Sequence, residues 1–307
     1  VEPFSLTADQ ATTWVLGDTQ RVESNRSANL AAIQAAAAQS TAALINVGDV
    51  AGDADIVESD WTKFVADLHG WGDPQWTGRA GRVPIVCAMG NHDTYGDLAM
   101  GLWEQYLPAQ WAAWGAKTYG SYVTGHIRWL LLDVMHQSAE QTAWLVAQLD
   151  AATEPWIIPV WHIRTYPADN LGEEQDLGLK PGTLNWVQAC EDSGRVRLVM
   201  HGHAHLYQRT HPMRLGVRSD SDGIIYITAA ATAAPLSFGA NPIRVTTIVN
   251  ATIPRTDVAD AANFLAYVQD PGALGALRVY ATATTLGMYA YDIADLTTLI
   301  DSVELTA

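Results

Sequence analysis

Three apolar runs in the first third of the chain end in the same way, and that repetition constrains the fold more than any other feature. Thr13-Trp14-Val15-Leu16 closes in Gly17-Asp18, Ala43-Leu44-Ile45-Asn46-Val47 closes in Gly48-Asp49, and Val83-Pro84-Ile85-Val86-Cys87-Ala88-Met89 closes in Gly90-Asn91-His92-Asp93. Short apolar runs bounded by Gly and polar residues read as buried strands. Each therefore delivers a carboxylate, an amide or an imidazole to a strand's carboxyl end, the edge at which ligands collect in open α/β sheets. The pattern continues further on: Trp156 to Trp161 ends at His162, and a strand from Arg195 runs to Met200 before His201-Gly202-His203-Ala204-His205.

The intervening segments read as helices: an Ala-rich stretch from Ser24 to Gln39, an amphipathic one from Asp60 to Leu68, another from Ser138 to Leu149, and Pro181 to Cys190 with Pro near its start. Tyr119 to Val134 alternates around Gly125 like a hairpin. Beyond Arg209 the chain turns strand-rich, with Gly223 to Ala230, Ala276 to Thr284, Met288 to Asp292 and Thr298 to Leu305 as candidates. Strands alternating with helices predict a layered α/β protein. Residues 235–275 lack clear periodicity and read as an insertion into a single domain covering 1–307.

Composition narrows the partners. With 17 Lys plus Arg against 33 Asp plus Glu the net charge is −16, which repels nucleic acid and anionic membrane at long range. No apolar run approaches the ~20 residues that span a bilayer, so a soluble protein is expected. Cys87 and Cys190 are the only cysteines; Cys87 reads as core, and a Cys87–Cys190 pair is left open. The chain begins at Val1 rather than Met, which favours export to the periplasm or outside over a cytoplasmic location.

Asp18, Asp49, Asn91, His162, His203 and His205 are oxygen and imidazole donors, all at strand ends. Two divalent ions need about this many donors, with one carboxylate between them, and such a pair can ionise a water and stabilise displacement at phosphorus.

The ordered set of Gly17-Asp18, Gly48-Asp49, Gly90-Asn91-His92-Asp93, an isolated His162 and Gly202-His203-Ala204-His205 resembles the calcineurin-like metallophosphoesterase superfamily over roughly two thirds of the chain. His205-Leu206-Tyr207-Gln208-Arg209 and the closing stretch Tyr291-Asp292-Ile293 to Asp301-Ser302 are similar to its purple acid phosphatase members. The resemblance implies a four-layer α/β/β/α sandwich of two mixed sheets flanked by helices. It implies a first ion on Asp18, Asp49 and His205 and a second on Asp49, Asn91, His162 and His203, with Asp49 bridging. His92 would contact the phosphoryl group and assist the leaving oxygen. The ions would be drawn from Mn, Fe, Zn, Mg and Ca.

Two departures from the family pattern stand out. Gln20 lies where many members place a His, and Gly52 where purple acid phosphatases place a Tyr. Gln20 is either a direct ligand through its amide oxygen or an outer residue that orients a water, and in both cases the first position is the weaker. Tyr95, Arg164 and Tyr207 lie beside expected ligands in sequence and are candidate substrate contacts, together with Asn91 and His92. His201 reads as a residue that supports the ligands from behind or lies in the core. The expected activity is hydrolysis of a small phosphoester by a metal-activated hydroxide, monoesters ahead of diesters or nucleotides. The alternative of another class is a non-catalytic metal- or phosphate-binding protein.

Overall fold

Alternation along the first strand explains the layering. In β1 (Thr12–Leu16) all five residues are buried, yet Val15 packs in one cluster while its neighbours Trp14 and Leu16 pack in another. Successive side chains of a strand point to opposite faces, so β1 has apolar material on both sides. The same holds for β2 (Thr41–Asn46) and for a later parallel strand, Val83–Cys87. Continuous apolar strands of this kind belong in parallel sheets covered on both faces.

The computed structural model describes residues 12–20, 23–37, 41–52, 57–166, 181–233, 265–268 and 274–307. One seven-stranded sheet contains β1 and β2, with β3 (Gly72–Asp73), β4 (Val83–Cys87) and, from the carboxyl-terminal part, β14 (Gly275–Ala281), β15 (Thr285–Asp292) and β16 (Asp295–Thr306). Its order is β16-β15-β14-β1-β2-β4-β3, parallel from β1 to β3 and antiparallel from β1 outward through β14. The second sheet uses β5 (Gly120–Thr124), β6 (Ile127–Leu131), β7 (Trp156–Val160), β8 (Leu198–His201), β9 (Gln208–Thr210), β12 (Ile225–Thr228) and β13 (Leu265–Val268). These run β13-β9-β12-β8-β7-β6-β5, with β6, β7, β8 and β12 mutually parallel. A small hairpin, β10 (Met213–Arg214) with β11 (Val217–Arg218), stands apart.

Val15, Ile45 and Val86 of the first sheet share one core with Trp129, Ile158, Met200 and Ile227 of the second, so the sheets face each other. Outside the first sheet, α1 (Glu23–Ala37), α2 (Glu58–Asp67) and α3 (Ala99–Tyr106) contribute Leu30, Ile33, Trp61, Phe64 and Trp103, and α4 (Pro108–Ala113) follows α3. Outside the second, α5 (Ala139–Ala151) and α6 (Pro181–Ser193) contribute Leu145, Leu149, Trp186 and Cys190. The result is the helix/sheet/sheet/helix sandwich. Ser138 caps α5 by accepting from Gln141 N at 3.1 Å. Cys87 and Cys190 are free and buried in different outer layers, so the open question of a pair is answered by distance between faces. Most of the expected insertion at 235–275 lies outside the described residues; within it, β13 is a strand of the second sheet. Among the described residues no helix is long and apolar enough to cross a membrane.

A polar tie centred on Asp301 helps to join the sheets. Asp301 on β16 accepts from Tyr207 Oη at 2.8 Å and from Arg209 Nε and Nη2 at 2.6 and 3.1 Å. Removing the carboxylate takes an acceptor from a buried hydroxyl and from a largely buried guanidinium. Asp301→Ala is expected to cost about 2 kcal/mol of unfolding free energy in urea titration, the remaining exposure of the pair keeping the loss below that of a fully dry ion pair.

Candidate metal centre

The carboxyl ends of β1, β2, β4, β7 and β8 meet at one edge of the sandwich, and the residues that follow them turn sharply inward. Asp18, Asp49, His203 and His205 all have left-handed backbones, with φ of 41°, 54°, 70° and 54°. Non-glycine residues occupy that region at a cost, and such strain clusters where a site needs it. The adjoining glycines make room. A Cβ at Gly48 would run into the His162 ring, one at Gly90 would strike the carboxylate and amide of Asp49, and one at Gly202 would lie 2.9 Å from His162 Nδ1. Hydrogen bonds then fasten loop to loop: Thr19 N and Gln20 N donate to Asp49 O at 2.9 and 3.2 Å, and His203 N donates to Asp18 Oδ1 at 2.9 Å.

Two sets of donors result, and Asp49 belongs to both. In Asp49, His162 and His203, and again in Asp18, Asp49 and His205, one donor atom per residue lies within 4.8 Å of the others. Asp49 Oδ1 is held by His92 N at 2.8 Å, while Oδ2 lies 3.2 Å from His162 Nε2. Asn91 Oδ1 faces His162 Nε2 at 3.2 Å and His203 Nδ1 at 2.9 Å, and its amide nitrogen donates to Tyr95 Oη at 3.0 Å. His162 Nδ1 sits 3.0 Å from Val47 O. A carbonyl can only accept, so Nδ1 carries the proton and a neutral His162 turns its Nε2 lone pair inward, the orientation a metal ligand requires.

Buried carboxyls and imidazoles crowd one another here, and protons serve as their counter-charges. Asp18 is fully buried and its Oδ2 has no hydrogen-bond partner among the described residues. Burial pushes its carboxyl up to about 8, against the pull of His162 and with the push of Asp49. For Asp49 burial acts upward too, but His162, His92 and His203 outweigh it and hold the group well below the ordinary range. Burial disfavours the charged His162, yet Asp49 and Asp18 lift it to about 9. These donors fit divalent ions: buried, acidic, convergent, and left with an unpaired oxygen.

A pH dependence follows. In the ion-free chain Asp18 and His162 bind protons more tightly than when unfolded, so the stability they contribute is present at low pH. It is lost as pH rises from the ordinary 3.8 to about 8 for Asp18 and from 6.5 to about 9 for His162. Calorimetry of chelator-treated protein should show the melting temperature falling across neutral and mildly alkaline pH, and excess Mn²⁺ should remove the fall.

Among the other expected site residues, His92 keeps its ring at the edge, Nε2 4.0 Å from Asp49 Oδ2, and packs edge-on against Tyr95 at 5.0 Å between centroids. Gln20 is fully buried, with Nε2 3.0 Å from Asp49 Oδ2 and 3.2 Å from His205 Nε2. Arg164 is fully buried and donates to Gln208 Oε1 at 3.2 Å. Tyr207 is buried with its hydroxyl on Asp301, which removes it from the surface a substrate would reach. His201 is a core residue stacked on Tyr226, and burial lowers it to about 3. Trp161 is buried against Trp186 and His201.

Sequence reasoning missed Asp93. It is fully buried, accepts from Val50 N and Gly90 N at 2.9 Å each, and so locks the Asp49 loop to the Asn91 loop. Its place in Gly90-Asn91-His92-Asp93 was the available signal.

Two facing mixed sheets that gather overlapping sets of acid, amide and imidazole donors at one edge define an α/β protein built around a candidate two-ion centre. Over residues 11–207 the sequence matches the calcineurin-like phosphoesterases, and the chain belongs to that family. A probable inactive purple acid phosphatase 1 of Arabidopsis thaliana is 25% identical over 230 residues, 64% of this chain and 35% of that protein. The chain thus spans about a third of that relative's length. Among solved structures, the purple acid phosphatase PPD1 of yellow lupin (Lupinus luteus) superposes with a TM-score of 0.71 at 19% identity, over 97% of this chain and 54% of that one. GAP50, the anchor in the inner membrane complex of Plasmodium, gives 0.66 at 13% identity, over 97% and 89%. At these identities the two structures bear on the fold alone.

Proposed function

We propose that the chain is a dinuclear metal-dependent hydrolase of small phosphoesters, with monoesters preferred. The observation that carries this reading is the pair of donor sets sharing Asp49. Asp18, Asp49 and His205 would hold one ion, and Asp49, Asn91, His162 and His203 the other. Bound there, two ions supply an ionised water and neutralise charge on phosphorus and the leaving oxygen.

The chain's own residues do the rest. Val47 O fixes the His162 tautomer, His92 N leaves Asp49 Oδ2 turned toward the donors, and Tyr95 orients the Asn91 amide so that its oxygen faces them. His92, at the rim, would place its imidazole on the phosphoryl group and pass a proton to the departing alcohol. His92→Asn is expected to lower turnover of an aryl phosphate by roughly 100-fold or more while bound metal stays constant. Equal losses of metal and turnover would reassign His92 to the scaffold.

A second reading is favoured by the name of the Arabidopsis relative, probably inactive, and by Gln20 and Gly52, which stand where the resemblance would place a His in many members and a Tyr in purple acid phosphatases. On that reading the centre binds metal or phosphate without hydrolysis. Metal-reconstituted protein assayed on aryl monoesters and bis-aryl diesters separates the cases. Faster monoester turnover supports the proposal, faster diester turnover reassigns the substrate class, and bound metal with neither leaves the second reading.

A further inference from the structure

Gln20 stands out because its two amide ends are treated so differently. Nε2 lies 3.0 Å from Asp49 Oδ2 and 3.2 Å from His205 Nε2, two of the three donors of the first position. Oε1 is buried and has no hydrogen-bond partner among the described residues. An amide nitrogen so close to both a carboxylate oxygen and an imidazole nitrogen uses its two hydrogens as a cation would use its charge. A buried carbonyl left unpaired is costly, so the side chain is arranged for two states and satisfied in only one of them.

We propose, on the dinuclear reading above, that Gln20 is an internal plug of the Asp18/Asp49/His205 position. In the ion-free chain its N–H groups stand in for the ion; when an ion enters, the amide turns over and presents Oε1 as a ligand. Loading is therefore ordered. The Asp49/Asn91/His162/His203 position fills first, and the plugged one fills second and more weakly. Breaking a charge-assisted hydrogen bond to Asp49 weakens the second event by roughly 10- to 100-fold. An amide oxygen in place of an imidazole nitrogen also turns that position toward harder ions, favouring Mn²⁺ and Mg²⁺ over Zn²⁺ relative to its partner.

The test is calorimetric titration of the metal-free chain with Mn²⁺ and, separately, Zn²⁺. Two unequal events are expected, the weaker abolished by Asp18→Asn and the stronger retained. Gln20→Glu keeps the shape but cannot donate from that end. It should tighten the weaker event by about 10-fold or more and lower the melting temperature of the ion-free protein, because a second carboxylate now faces Asp49. Should that variant fail to fold, Gln20→His supplies an imidazole ligand and should likewise tighten the weaker event, more for Zn²⁺ than for Mn²⁺. Two equal events, or a weaker event unmoved by either substitution, would overturn the plug while leaving the dinuclear reading intact. No binding in any variant would overturn both.

Discussion

Asp49→Asn is expected to abolish ordered metal binding at both positions and to cut turnover of an aryl phosphate by on the order of 1,000-fold or more. Other ligand changes fall on one donor set; this one falls on the residue common to both. The substitution is nearly isosteric, and Asn retains an oxygen for His92 N, so the fold should survive. Because a carboxylate held well below its ordinary range is exchanged for a neutral amide, the protonated His162 of the ion-free chain loses its nearest counter-charge. Metal content by elemental analysis and circular dichroism on the same sample check the prediction. Retention of two ions per chain would show that Asp49 is not shared.

Gly90→Ala should have the second-largest effect, although it removes no donor. Its Cβ would strike both the carboxylate and the backbone amide of Asp49, and neither can retreat far: Asp49 has a left-handed backbone and its carbonyl is tied to Thr19 and Gln20. The expected cost is roughly 1–3 kcal/mol of stability from overpacking, together with loss of both donor sets because Asp49 is displaced. Gly101→Ala is the control, since nothing lies within 4 Å of a Cβ there. Comparable metal content in the two variants would contradict the close approach of these loops.

How much of this was legible in the sequence depends on the range of the interaction. Asp18, Asp49, Asn91, His162, His203 and His205 could be grouped because each directly follows an apolar strand, and parallel strands send their carboxyl ends to one edge. The continuous apolar runs that end at Leu16, Val47 and Met89 likewise foretold buried strands. What could not be read was side-chain direction in irregular backbone. Tyr207 looked like a substrate contact because it lies two residues from His205, but its hydroxyl turns to Asp301, 94 positions away. Gln20 was recognised as a departure, yet which end of its amide faces Asp49 is decided by packing of loops from β1, β2 and β8. Asp93 was passed over because its work is done on backbone amides, which carry no residue identity.

The most direct test of the central claim is to count ions per chain and measure aryl phosphate hydrolysis on one sample, dialysed against excess Mn²⁺. Two ions per chain with hydrolysis that disappears on chelation and returns with metal is the predicted result. One ion or none, with no hydrolysis under any metal, would mean that the donor sets around Asp49 do not form a working dinuclear centre.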